Sequence, residues 1–239
     1  MARMQAVIFD LDDTLYPERQ YVLGGYAAVA SAFADRLGDP RCTLDHLCRL
    51  FNTEHRPRVF NRLLLESGLP EDAELVVRMI ATYRGHRPTL TLHADAEAVL
   101  ARLERRVPLG LVTDGPAAVQ AAKIEALGLT PRFAQIVLTD TLGPEGVKPS
   151  ARAFELIAQR LDVEHRACVH VGDNLAKDFL APNRLGWVTV RVLRPEGVHW
   201  GKPAPPGGEP QHTVASLEEL PQLLPGLPWS GGTRGLRRP

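Results

Sequence analysis

Apolar residues in this chain follow two rhythms. Short, mainly apolar runs fall at residues 7–9, 109–112, 136–138, 168–171 and 187–192. Runs of that length, bounded by polar residues, read as parallel strands buried on both faces. Between the later runs the apolar residues recur at helical spacing instead. They do so over 94–106, through Val119, Ala122, Ile124 and Leu127 as far as Gly128, and through Phe154, Ile157 and Leu161. Strands that alternate with helices predict an α/β fold: a doubly wound, Rossmann-like parallel sheet with helices on both faces.

Residues 17–92 break that alternation, because the helical rhythm holds there without a strand candidate. Pro17 suits a first helical position, and Tyr21, Val22, Tyr26, Val29, Phe33 and Leu37 form an apolar face closed by Gly38. Gly24 and Gly25 inside this helix are expected to weaken or kink it. Thr43 is placed as the cap of a second helix carrying Leu44, Leu47, Leu50 and Phe51. A third helix runs through Val59 and Leu63 to Ser67 and Gly68, and a fourth from about Glu71 to Tyr83 stops at Gly85. The expected organisation is a core made of 1–16 and 93–225 that carries an all-helical insert at 17–92. Past Val192, Pro and Gly dominate a loop through Pro210. Ser216 and Glu219 have the spacing of a capping box that opens a last short helix. Residues 226–239, rich in Gly, Arg and Pro, read as a disordered tail.

With 28 basic and 28 acidic residues, a net charge of +0 and a pI near 7.1, bulk electrostatics gives no support for binding a nucleic-acid polymer. The three cysteines, Cys42, Cys48 and Cys168, cannot all pair with one another and show no zinc or redox spacing. They read as reduced core or near-core residues of a cytoplasmic protein. Residues 1–5 run straight into the first strand, so no signal peptide is expected, and no apolar run is long enough to span a bilayer. A monomer or homodimer without a membrane partner is the expectation.

Polar residues gather where the strand runs end. Asp10 and Asp12 follow the first run, and extended geometry would point both carboxylates the same way. Such a pair repels itself unless one member is protonated or a hard cation such as Mg²⁺ sits beside it. Alternatively, Asp12, Asp13 and Thr14 form only a polar turn. Thr113 and Asp114 end the second run just before a helix, where a hydroxyl and free backbone N–H groups suit an anion. Lys148, one of four lysines in an arginine-preferring chain, stands before Pro149 and a further helix. Asp173 ends the fourth run, and Asp178 follows five residues later. His170, inside that run, reads as a hydrogen-bonded core or interface histidine. Each cluster alone is ordinary turn or cap chemistry, but their convergence at the mouth of one sheet points to an active site.

In this order the residues resemble the haloacid dehalogenase (HAD) superfamily of phosphohydrolases. Phe9-Asp10-Leu11-Asp12-Asp13-Thr14-Leu15-Tyr16 is similar to the first signature motif, and Val112-Thr113-Asp114-Gly115 to the second. Val147-Lys148-Pro149 is similar to the third, and Gly172-Asp173-Asn174 through Asp178 to the fourth. The resemblance extends to about Leu224, and the helical insert resembles the family's C1-type cap. It implies that Asp10 is the nucleophile that forms an aspartyl-phosphate and that Asp12 serves as general acid and then base. It implies Mg²⁺ held by Asp10, Asp12 (through its backbone carbonyl), Asp173 and Asp178, the last directly or through water. Thr113, the Asp114 amide and Lys148 would hold the phosphoryl group.

Single positions separate related chemistries. The family's dehalogenases lack the second aspartate present here as Asp12. Its phosphonate hydrolases need a cap lysine, and residues 17–92 contain none. Sugar phosphomutases usually carry Gly where this chain has Asp13. The resulting expectation is a Mg²⁺-dependent phosphatase for a small phosphorylated metabolite, a nucleotide monophosphate or a sugar phosphate. The alternatives are a non-catalytic phosphate-binding or phospho-accepting regulatory module and, within the family, a phosphomutase. In the helical insert, Arg56, Arg58, His86 and Arg87 are candidates to meet a second anionic group of the substrate.

Overall fold

A computed structural model describes residues 4–53 and 58–229, other than His199 and Lys202. The chain divides into two compact units, one formed by the segments up to Glu18 and from Leu90 onward, the other by Arg19–Thr89. Among the described residues the strands are β1 (Ala6–Phe9), β2 (Leu109–Thr113), β3 (Gln135–Leu138), β4 (Cys168–Gly172), β5 (Val188–Val192) and β6 (His212–Val214). The first five helices are α1 (Glu18–Ala32), α2 (Ala34–Leu37), α3 (Pro40–Phe51), α4 (Val59–Glu66) and α5 (Ala73–Gly85). There follow α6 (Ala94–Leu103), α7 (Ala117–Ala126), α8 (Arg152–Leu161), α9 (Leu180–Arg184) and α10 (Leu220–Leu223).

The first unit is a six-stranded, wholly parallel sheet in the order β3-β2-β1-β4-β5-β6. The chain winds outward from β1 in one direction as far as β3, then returns to place β4 on the other side of β1. The switch point therefore lies between β1 and β4, and open α/β sheets hold their ligands beyond the C-terminal ends of the strands at such a point. β1 and β4 are buried at every position, as expected for central strands covered on both faces. One of those faces packs Phe154 and Ile157 of α8 against Ala6, Ile8, Val112 and Trp187. Truncating Phe154 to Ala there would cost about 3–5 kcal/mol.

β6 went unread in the sequence because it offers no apolar run. Of His212, Thr213 and Val214 only Val214 is buried, and the strand pairs on one side only, as the edge of the sheet. The capping box at Ser216 forms as the spacing predicts, opening a 3₁₀ turn that leads into α10. Residues 226–229, read from the sequence as the start of a disordered tail, are packed onto the first unit. Leu227 is buried, Arg106 donates to the Pro228 carbonyl, and the Trp229 indole donates to the Leu224 carbonyl. Residues 230–239 lie outside the described residues.

The second unit is all helical, with an aromatic centre. Tyr26 of α1 meets Phe51, Phe60 and Tyr83 at ring separations of 6.2, 6.2 and 5.7 Å. Gly24 and Gly25 do not interrupt the helix. α1 runs through both, and the helical stretch breaks at Phe33. A Cβ on Gly25 would stand 2.5 Å from the Tyr83 ring, so this glycine allows α5 to approach, and packing offsets the roughly 1 kcal/mol propensity cost. α3 starts earlier than expected. Asp39 accepts from the Cys42 N–H at 2.9 Å with Pro40 in the first turn, while Thr43 is buried inside the helix. Cys42 is exposed and so not a core residue, whereas Cys168 is buried and its thiol is pushed up to about 12 by that burial.

Candidate active site

Asp10 is the first residue beyond β1, and its N–H still donates to the Val171 carbonyl of β4 at 2.9 Å. The ladder thus fixes the backbone at the switch point and aims the carboxylate out of the sheet. Oδ1 accepts from the Lys148 ammonium at 2.5 Å, and the Thr14 hydroxyl lies 3.3 Å from Oδ2. Lys148 is also buried, and its second close partner is Asp178 Oδ1 at 2.7 Å. Asp178 Oδ2 accepts from the Asn174 N–H at 2.9 Å. The loop carrying Lys148 is tied in by Asp114, which accepts from the Thr139 hydroxyl at 2.7 Å and from the Lys148 N–H at 3.1 Å. The residue at 172 must be small for the same site to close: a Cβ on Gly172 would stand 2.4 Å from Asp178 Oδ2.

Three buried carboxylates, those of Asp10, Asp173 and Asp178, offer oxygens that lie within 4.8 Å of one another. Burial pushes Asp10 up to about 7 against the opposing charge of Lys148. Burial, followed by the charges of Asp178 and Asp10, holds Asp173 well above the ordinary carboxylate range. For Asp178, burial acts upward as the largest single influence, but Lys148 and His170 together outweigh it and hold the carboxyl below that range. Lys148 is itself held above the usual lysine range, its two carboxylates outweighing burial. One ammonium does not neutralise three carboxylates, and this all-oxygen donor set suits a hard divalent cation.

Asp12 faces a different set of groups. Its Oδ1 accepts from Lys123 Nζ at 2.7 Å and from the Tyr16 hydroxyl at 2.5 Å, while Oδ2 accepts from Gln120 Nε2 at 2.9 Å. Burial alone would raise its pKa, but Lys123 and these hydrogen bonds outweigh it and hold the carboxyl below its ordinary value. Gln120 Nε2 also lies 2.6 Å from the hydroxyl of Thr113, the last residue of β2. A polar cavity of about 100 Å³ brings together Asp10, Asp12, Thr113, Asp114, Lys148, Asp173 and Asp178, with Glu18, Asn174 and Lys177 also on its wall.

The structure thus gathers the strand-end residues singled out in the sequence into one cavity. It adds residues the sequence reading passed over. Gln120 and Lys123 hold Asp12, and Lys177 pairs with Asp114 Oδ2 at 2.8 Å. Glu18 is pushed up to about 8 by burial and then by the charge of Asp12, and its Oε2 has no hydrogen-bond partner. A usable signal was the pair Gln120 and Lys123, three residues apart on a helix whose other residues, apart from Glu125, are apolar and mostly alanine. His170 is a core residue, as expected, but not a hydrogen-bonded one. Neither ring nitrogen has a hydrogen-bond partner, and Nε2 stands 3.8 Å from Asp178 Oδ1.

The candidates from the helical insert are placed less uniformly. Arg56 lies outside the described residues. Arg58 and Arg84 border a cavity of about 240 Å³ within the helical unit, with Tyr26, Phe60, Val76, Ile80 and Tyr83 on its walls. Arg87 is exposed. His86 is turned into the packing of this unit, its ring 4.6 Å from that of Tyr21 and its Nδ1 2.7 Å from the Tyr83 carbonyl.

A family model described as haloacid dehalogenase-like hydrolase matches residues 4–186. A glyceraldehyde 3-phosphate phosphatase of Methanopyrus kandleri is 32% identical over 200 residues, 80% of this chain and 84% of that protein. A ribulose-1,5-bisphosphate 5-phosphatase of Halopiger xanaduensis is 31% identical over 238 residues, 92% of this chain and 98% of the other. Among solved structures, the magnesium-bound HAD-hydrolase YfnB of Bacillus subtilis superposes with a TM-score of 0.67. It is 22% identical in sequence, and the match covers 93% of this chain and 99% of that one, a likeness of fold.

Proposed function

Because the chain belongs to the haloacid dehalogenase-like hydrolases, and with them hydrolyses phosphate monoesters, we propose that it takes a small sugar phosphate and passes its phosphoryl group through Asp10. The observation that carries this reading is the arrangement around Lys148, whose ammonium meets Asp10 and Asp178 inside a polar cavity. The names of the two relatives support a sugar phosphate over a nucleotide as the substrate class. In this reading the helical unit is the cap that admits the substrate and then excludes bulk water.

An Asp10 oxygen attacks phosphorus as the bond to the leaving oxygen breaks, and the protonated form of Asp12, the minor form beside Lys123, gives that oxygen its proton. Asp12, now ionised, then takes a proton from water as the water oxygen bonds to phosphorus and the Asp10–phosphorus bond breaks. Phosphate leaves and both carboxyls return to their starting states. Lys148, the Thr113 hydroxyl and the Asp114 N–H hold the non-bridging oxygens, so the protein contributes mainly position and charge. Asp10, Asp173, Asp178 and the Asp12 carbonyl would hold Mg²⁺, which when bound supplies positive charge to the phosphoryl oxygens. Both Asp178 oxygens already accept hydrogen bonds, which favours contact through water.

The test is phosphate release from p-nitrophenyl phosphate and a panel of sugar phosphates and nucleotides, with Mg²⁺, with EDTA and with Asp10→Asn. Turnover that requires Mg²⁺, favours sugar phosphates and vanishes in the variant is expected. A folded wild type inert towards the whole panel would overturn the reading.

A further inference from the structure

Asp12 stands in the reading above as the group that moves the proton, yet nothing in its own segment except Tyr16 orients its carboxylate. The orientation comes from α7, about 110 residues away in sequence, as the separations of 108 and 111 residues to Gln120 and Lys123 show. Both side chains lie three residues apart on the buried face of that helix, Gln120 at 1% and Lys123 at 3% exposure. A buried lysine is expensive unless a carboxylate answers it, so the Lys123–Asp12 pair is an essential part of how α7 seats on the sheet.

A carboxylate offers about four lone-pair directions. Lys123 and Tyr16 occupy those of Oδ1, and Gln120 occupies one on Oδ2. Among the described residues, one direction on Oδ2 is left to meet a leaving group or a water. The same Gln120 amide nitrogen touches the Thr113 hydroxyl at 2.6 Å, so the phosphate-holding end of β2 and the Asp12 carboxylate share one anchor. We propose that Gln120 and Lys123 are positioning residues for Asp12, a clamp on α7 that aims its remaining Oδ2 position, the one that carries the transferred proton, at the leaving oxygen. The inference rests on the phosphatase reading and extends it to residues outside the four motifs.

A positioning role can be separated from a merely structural one by the leaving group. Nitrophenolate departs as a stable anion and needs little help from a proton donor, whereas an alkoxide from glycerol phosphate or a sugar phosphate needs the proton. A misaimed acid therefore slows the alkyl ester selectively, by about tenfold to a hundredfold for a displacement near 1 Å. The measurement is single-turnover release of the leaving group from both esters, with full-length wild type, Lys123→Met and Gln120→Met. For each variant the loss with the alkyl ester should exceed the loss with p-nitrophenyl phosphate by at least tenfold, as it should for Asp12→Asn. Equal losses on the two esters, or no loss, in a wild type that turns over both would overturn the clamp alone. A wild type inert on both would overturn the phosphatase reading and the clamp with it. Gln120→Met decides the matter if Lys123→Met does not fold.

Discussion

Replacing Asp10 by Asn should stabilise the metal-free protein, and only at the alkaline end of its range. The folded Asp10 carboxyl holds its proton to about pH 7, whereas the unfolded chain releases it near 3.8. Between those values the folded state binds more protons, so the associated stability is fully present below about pH 4 and is lost as pH rises through 7. The difference is worth about 4 kcal/mol at most at pH 8, at about 1.4 kcal/mol per pH unit. Asn keeps a carbonyl oxygen for the Lys148 ammonium but turns an amide N–H₂ towards the Thr14 hydroxyl, so roughly 1–3 kcal/mol of the gain should be realised. For a chain of this size that corresponds to roughly 2–12 °C in melting temperature. Thermal melts in EDTA at pH 5 and pH 8 would show it: little difference between wild type and variant at pH 5, and the variant melting higher at pH 8. A variant that melts lower at both pH values would refute the reasoning, because it would mean that attraction to Lys148 outweighs the cost of burying the charge.

The same charge arrangement makes further predictions. Mg²⁺ at 100 times its dissociation constant should raise wild-type stability at pH 8 by about 2.7 kcal/mol, and Asp10→Asn should lose most of that rise in the same melts. Lys148→Met should lower kcat by about 10²–10³, the usual cost of one donor to the transferring group, as steady-state phosphate release would show. Gly172→Ala would drive a methyl group to 2.4 Å from Asp178, so metal titration of the folded variant should show weakened Mg²⁺ binding.

Much of the core was legible because strand ends announce themselves. A run such as Val7-Ile8-Phe9 can only be buried, so the carboxylate directly after it must stand at the sheet's edge, and the structure puts Asp10 there. Thr113 and Asp173 were legible for the same reason. Gln120 and Lys123 were not, since their value depends on which face of α7 turns inward and on a partner more than 100 residues away. β6 was hidden because an edge strand with one buried side chain carries no apolar run. Why two glycines sit inside α1 was not legible either, because propensity is a local quantity and the Tyr83 ring packed against Gly25 is not.

The central claim is that the phosphoryl group passes through Asp10, and trapping it there is the most direct test. The wild type would be mixed with excess sugar phosphate and Mg²⁺, quenched in acid within milliseconds, digested and analysed by mass spectrometry. A phosphoryl adduct on the peptide containing Asp10, formed and lost at rates that account for turnover and absent in Asp10→Asn, is the expected result. Steady phosphate release with no adduct at any quench time, or an Asp10→Asn variant that still turns over, would contradict the account.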